Sequence, residues 1–293
     1  MLRLITRSAV LLCALLLASC FGSSSSSTGI NIYVADAPID NATSVMITLT
    51  GVHLTGAAGT QDFIFPTPLP LNFYQLQAGL SAFLINFSPP PGQYTGVTLD
   101  FSAPPGTLAS NITLVGNATP FSLYIPSSAP TSISVPANII IPPFSTVNIT
   151  VDLDLRRSIY QDPNNPAQYI LQPALRVVDN ADAGNISGTV ALTRVTSGCT
   201  PAVYVYSGNV TPADVNINAP AGSVQPISTA LVALNGTTVQ YNFTDAFLPA
   251  GLYTLAFTCQ AAMDDPTKSD NLSFTSVTTT TVTAGQTDIV QLN

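Results

Sequence analysis

Asp152 and Asp154 stand two residues apart within Val147 to Leu155, a run that alternates apolar and polar residues. On a strand, such residues share a face, so both carboxylates project together, as paired acids must to hydrolyse a glycoside. Every acid that could serve is an aspartate, since the chain has no glutamate. The plainer reading is a solvated face whose aspartates meet Arg156, Arg157 or Arg176. A second acidic group, Asp264, Asp265 and Asp270, gathers in one loop, and Asp36 with Asp40 brackets a turn. Carboxylate oxygens suit calcium, but neither spacing is that of an EF-hand. The single histidine, His53, would have to serve any Ser-His-Asp or Cys-His system. It reads as a strand residue on a solvated face. The chain has no Gly-x-Ser-x-Gly elbow, phosphate-binding loop or dinucleotide fingerprint, and too few His and Cys for a transition-metal site. Tyr204 and Tyr206 share a strand face and offer either a sugar-stacking platform or sandwich core, the second being favoured. The residue inventory therefore points away from catalysis and from any cofactor other than calcium.

The elements that must carry these residues are strands. Short β-branched and aromatic runs recur, among them 30–34, 45–49, 94–101, 111–115, 147–155, 186–192, 202–206, 239–243, 253–259 and 288–292. Turn residues bound them, and 24 prolines mark loops and edges. The pattern predicts an all-β protein of two tandem antiparallel β-sandwich domains. The polar break 179–184 divides residues 29–179 from 184–293. Each part contains a Gly-plus-Tyr turn entering a strand, Gly92-Gln93-Tyr94 in one and Gly251-Leu252-Tyr253 in the other. There the ring can pack while the hydroxyl caps backbone.

Ahead of these, Arg3 and Arg7 precede an apolar run too short to span a bilayer, which ends in Leu17-Ala18-Ser19-Cys20. This resembles the lipobox of bacterial lipoproteins. The resemblance implies that 1–19 is a signal peptide, that Cys20 is lipidated, and that 20–28 is a Ser-rich tether. Phe21 in place of an aspartate resembles the outer-membrane class. Without Arg3 and Arg7, five basic residues face fifteen aspartates, a net charge of about −10 that argues against nucleic acid and anionic lipid headgroups as ligands. The remaining cysteines, Cys199 and Cys259, form an even pair in an oxidising compartment. They predict a disulfide, the alternative being two buried thiols.

Three stretches of the first domain resemble a bacterial lipoprotein family, the domain of unknown function 4382. They are residues 32–38 with Asp36-Ala37-Pro38, followed by 44–52; the Gly92-Gln93-Tyr94 turn; and 151–158 with 171–177, which include Asp152, Asp154 and Pro173. Leu153 stands where that family usually has a phenylalanine-like residue. The second domain is similar to transthyretin-like or carboxypeptidase-regulatory-like sandwiches in residues 184–190, 248–254 and 282–287. Neither resemblance implies an activity. The expectation is a non-catalytic envelope lipoprotein, anchored in the outer membrane through Cys20, that binds an envelope protein or a polysaccharide or builds structure. A calcium-dependent adhesin is the alternative, and an Asp-based glycosidase a third reading.

Overall fold

The computed structural model describes residues 27–293 apart from residue 58, so the signal, Cys20 and most of the tether lie outside the described residues. Among the described residues the regular secondary structure is almost entirely strand. The first unit comprises β1 (Gly29–Ala37), β2 (Ala42–Gly56), β3 (Gly59–Asn72), β4 (Ser81–Phe87), β5 (Gly92–Ser102), β6 (Asn111–Leu114), β7 (Phe121–Tyr124) and β8 (Ser132–Ile141). It continues with β9 (Thr146–Asp154), one helical turn α1 (Leu155–Ser158), β10 (Ile159–Gln161), β11 (Gln168–Leu171) and β12 (Leu175–Asp179). The second comprises β13 (Ala183–Val190), β14 (Ala202–Ser207), β15 (Ser228–Leu231), β16 (Ala233–Asn235), β17 (Gln240–Pro249), β18 (Gly251–Thr258), β19 (Phe274–Val282) and β20 (Thr287–Leu292). Among the described residues no helix is long and apolar enough to cross a membrane.

Strands β12-β9-β1-β4 form one sheet of the first unit, and β10-β11-β7-β6-β2-β5-β8 form the other, with β3 paired to β2. Period-two alternation places Ile30, Ile32 and Val34 of β1 and Ile149, Val151 and Leu153 of β9 in a single apolar core with Val52, Leu54, Val97 and Leu99. In the second unit β16-β17-β13-β20 packs on β15-β14-β18-β19, around Ile186, Val203, Val205, Leu255 and Phe257. At Gly188, a Cβ would lie 2.3 Å from the Val290 carbonyl oxygen and 2.6 Å from the Phe243 ring, so only glycine lets β13 sit that close.

Three of the four sheets are mixed, which corrects the expectation of purely antiparallel sandwiches; only β15-β14-β18-β19 is antiparallel throughout. β1 runs parallel to β9, β13 parallel to β20, and β11 parallel to β7. The first two pairs have one cause. The opening strand of each unit is inserted between strands made later, with a parallel neighbour on one side and an antiparallel one, β4 or β17, on the other.

The tyrosine turns also repeat. Tyr94 donates to the Pro90 carbonyl at 2.8 Å and Tyr253 to the Pro249 carbonyl at 2.6 Å, each four residues back. Gly92 opens β5 with φ +155°, which L side chains rarely adopt. Cys199 and Cys259 are disulfide-bonded, as their isolation in an even pair predicts.

Candidate functional site

The two units meet along a seam of charged side chains. In β9, alternation turns Ile149, Val151 and Leu153 into the core and leaves Thr150, Asp152 and Asp154 on the opposite face. That face is covered, because Thr150, Asp152 and Asp154 are 0%, 5% and 4% exposed. The expectation of a solvated face for Asp152 and Asp154 is thereby corrected: strands of the second unit pack over it, bringing Asp245 of β17 against the same acids. The expected partner of Asp152 is present, since Arg176 of β12 donates to it at 2.6 Å and also reaches the Phe247 carbonyl of the second unit. Asp154 caps α1 by accepting from the Arg157 N–H at 3.1 Å.

Asp36 lies at the end of β1 and, with Asp152 and Asp245, lines a cavity of 10 Å³ that Pro38 also borders. Neither of its carboxylate oxygens has a hydrogen-bond partner. Burial, reinforced by Asp152 and Asp154, pushes its carboxyl well above the usual range. The Leu155 N–H and the Gln77 side chain pull the other way without closing a hydrogen bond to it. Burial likewise raises Asp154 to about 6 against the pull of Arg157, and Asp245 to about 7 against that of Arg176. Ala37 follows in β1, with its side chain outside the described detail, and Pro173 lies between β11 and β12.

Beside this cluster opens a cleft of 720 Å³ between the units. Arg156, 4% exposed, forms its floor. It pairs with Asp40 at 2.5 Å, donates to Thr229 and to the Ala261 carbonyl, and lies over the Tyr204 ring. The walls present Tyr160 and Tyr169 from β10 and β11, with Asp162 between them in sequence, and Asn218 and Asp265 from the second unit. The Asn164 N–H and the Tyr124 hydroxyl hold Asp162 below the usual carboxylate range. Against some burial, the Thr267 N–H and hydroxyl do the same for Asp265. The cleft therefore offers ionised acceptors and phenol rings to a hydroxyl-rich or cationic ligand and repels anions.

The structure divides the acidic loop. Asp264 and Asp270 come together with Asp214, ligand atoms within 4.8 Å, whereas Asp265 pairs with Lys268 at 3.1 Å. Asp214 was invisible to sequence spacing, standing fifty residues away from Asp264. Tyr204 and Tyr206 are buried as favoured, but not in the inter-sheet core; they form a separate cluster with Val215, Ala261 and Phe274 on the outer side of their sheet. His53 sits in β2 as expected, yet it is only 19% exposed and both ring nitrogens are engaged, with Asp62 and Asp100 at 2.7 Å each. This corrects the picture of a simply solvated histidine.

The opening strands β1 and β2, one in each sheet, the Tyr94 turn and the β9–β12 closure thus stand in one sandwich in the expected order. A family model, "Domain of unknown function (DUF4382)", matches residues 27–173. The chain belongs to the DUF4382 family. Asp36, Asp152, Asp154 and the cleft residues Arg156, Tyr160 and Tyr169 all fall inside the DUF4382 match, while Asp245 and Arg176 fall beyond it. No curated protein matches the chain. Among solved structures it is similar to GBS52, the minor pilin of Streptococcus agalactiae, at 9% identity over 89% of this chain and 94% of that one, with a TM-score of 0.21. A second is an adhesin-labelled protein of Bacteroides ovatus, at 10% identity over 91% of this chain and 93% of that one, with a TM-score of 0.20. The Bacillus anthracis TIE protein is similar at 11% identity and a TM-score of 0.20, and the chain spans 44% of its length.

Proposed function

We propose that this DUF4382 protein is a non-catalytic, lipid-anchored module of the bacterial envelope that captures a neutral polysaccharide in the cleft between its two units. The cleft carries the reading: it is 720 Å³, open, and lined by Tyr160, Tyr169 and acidic acceptors whose own hydrogen bonds already fix them. Phenol rings stack on pyranose faces, and ionised carboxylates accept sugar hydroxyls. Leu17-Ala18-Ser19-Cys20 supports attachment to the outer membrane through Cys20, with the second unit read as a transthyretin-like spacer. The only histidine is held by two aspartates, which supports a binding role over hydrolysis.

The test is binding of the purified chain to a panel of immobilised envelope and plant polysaccharides. Wild type retained on at least one neutral polymer, with Tyr160→Ala and Tyr169→Ala each released, is the expected outcome. Sugar release by wild type, or retention unchanged in both variants, rejects it. Protease shaving of intact cells carrying a C-terminal tag decides which leaflet the module faces. Survival of the tag until lysis places the captured polymer in the periplasm.

A calcium-dependent adhesin is a second reading, favoured by the grouping of Asp214, Asp264 and Asp270. It requires attachment that a chelator abolishes.

A further inference from the structure

The two ends of the first unit differ in chemistry. β1 and β9 run side by side, from Gly29 and Thr146 at one end to Ala37 and Asp154 at the other. The far end leads into the cleft, which Asp40, Arg156 and Tyr160 line. The near end receives the chain arriving from Cys20, and the turns 56–59, 88–91 and 142–145 close it. None of these turns contains a charged residue, and neither do the long runs 63–99 and 101–151.

Phe144 stands in the last of these turns. It is 72% exposed, and its φ of 59° is a left-handed conformation that bulky side chains rarely adopt. Pro142 and Pro143 lead into it, and the Phe144 N–H donates to the Thr28 hydroxyl at 2.9 Å. The Gly29 N–H donates to the Ser145 carbonyl at the same distance. The turn that carries the ring is thus held by the first residues after the tether. Ile140, 59% exposed, lies at the end of β8 just before it. An exposed aromatic and an isoleucine on an uncharged end are poorly solvated by water and well accommodated at a bilayer interface.

The reach of the tether selects the same end. The eight steps from Cys20 to Thr28 span at most about 28 Å when fully extended. β1 alone, at roughly 3.3 Å per residue, is about 30 Å long. With Cys20 in the bilayer, laying the cleft end on that bilayer would require a chain drawn straight along the whole unit. Laying the turn end on it makes no such demand. The lipid must be neutral, because Asp179 and Asp182 flank the connection that meets β9 at Asn148, and none of the turns carries Lys or Arg to hold anionic headgroups.

Resting on the Cys20 anchor of the proposed function, we propose that this end of the first unit docks on a neutral lipid surface. Phe144 enters the bilayer interface with Ile140 beside it, and the cleft faces away from the membrane, removed from it by the length of β1.

The chain contains no tryptophan, so Phe144→Trp introduces a single reporter. Ile140→Trp is a second reporter, and Val115→Trp, exposed at the cleft end where its N–H bonds to the Asn41 carbonyl, is the control. The full lipid-bearing chain is reconstituted into phosphatidylcholine vesicles, where flotation reads the anchor and quenching by brominated phosphatidylcholine reads the docked face. Flotation of all three variants is expected, with blue-shifted, quenched emission from Phe144→Trp and Ile140→Trp and unquenched emission from Val115→Trp. Circular dichroism confirms folding, and Ile140→Trp decides the matter should Phe144→Trp fail to fold. Flotation with Phe144→Trp and Ile140→Trp quenched no more than Val115→Trp overturns the docking and leaves the anchor standing. A chain that does not float, with Cys20 unmodified by mass spectrometry, rejects the anchor and the docking with it.

Discussion

The guanidinium of Arg156, in the first unit, lies 5.5 Å from the ring centroid of Tyr204, in the second. Arg156 is fixed from its own side by Asp40 and from the other by Thr229 and the Ala261 carbonyl, so one side chain ties the units at the base of the cleft. Tyr204 in turn donates to Asp264, whose carboxyl burial raises to about 6.

Arg156→Ala should therefore cost about 3–5 kcal/mol, because it leaves Asp40 buried without its cation. Urea denaturation checks the magnitude. Limited proteolysis should show new cutting near the 179–183 connection, since the variant removes a tie between the units.

Stability should depend on pH in a definite direction. Asp154, Asp245 and Asp264 are held at about 6, 7 and 6 in the folded chain, against 3.8 ordinarily. The folded state thus binds more protons than the unfolded one between pH 4 and pH 7, so stability falls as pH rises through that window. Thermal melts in EDTA should show Tm declining from pH 5 to pH 8. A Tm flat across that range contradicts the assignment.

His53 adds to the same trend. Against partial burial, its bonds to Asp100 and Asp62 raise its pKa above 6.5, so the stability they lend is present at acidic pH and lost as pH rises past that value. His53→Ala should cost about 1 kcal/mol at pH 6 and less at pH 8.5, the Asp62 partner being well exposed. A double-mutant cycle with Asp100→Asn measures the coupling.

The disulfide closes a segment with a sequence separation of 60. On the chain-entropy model its removal costs roughly 4 kcal/mol. Cys199→Ser with Cys259→Ser should lower the Tm of the second unit, and dithiothreitol should do so for wild type but not for the double variant.

Gly188→Ala should be among the most damaging single-methyl changes, costing about 3 kcal/mol or more. The added Cβ meets backbone at 2.3 Å, which cannot yield as a side chain would. Loss of soluble expression or a strongly lowered urea midpoint is the expected reading.

The strand content was legible where alternation is clean, as in β1, β9, β14 and β18. It was hidden in β3, where Pro66, Pro68 and Pro70 read as loop. The strand tolerates them because it pairs on one side only and slips register against β2 between Leu49 and Gly51. β8 was obscured in the same way by Pro136. Asp152 and Asp154 could be placed on a shared face from their spacing. That the second unit buries this face could not, because burial by a distant chain segment leaves no mark on local periodicity. Asp245 and Asp214 escaped notice for that reason, each approaching its companions from another element. Tyr204 and Tyr206 were legible as buried, but their side of the sheet depends on long loops that carry no period.

The parallel pairing of β1 with β9 decides how the protein bears load. The register joins nine residue pairs, Gly29 with Thr146 through Ala37 with Asp154. A pull entering the chain at Gly29 runs along the axis of β1 and must slide all of those rungs at once. It cannot peel them one by one, as it would from the open end of a hairpin. Tension arriving from the amino-terminal side thus meets a shear clamp as the first structural element.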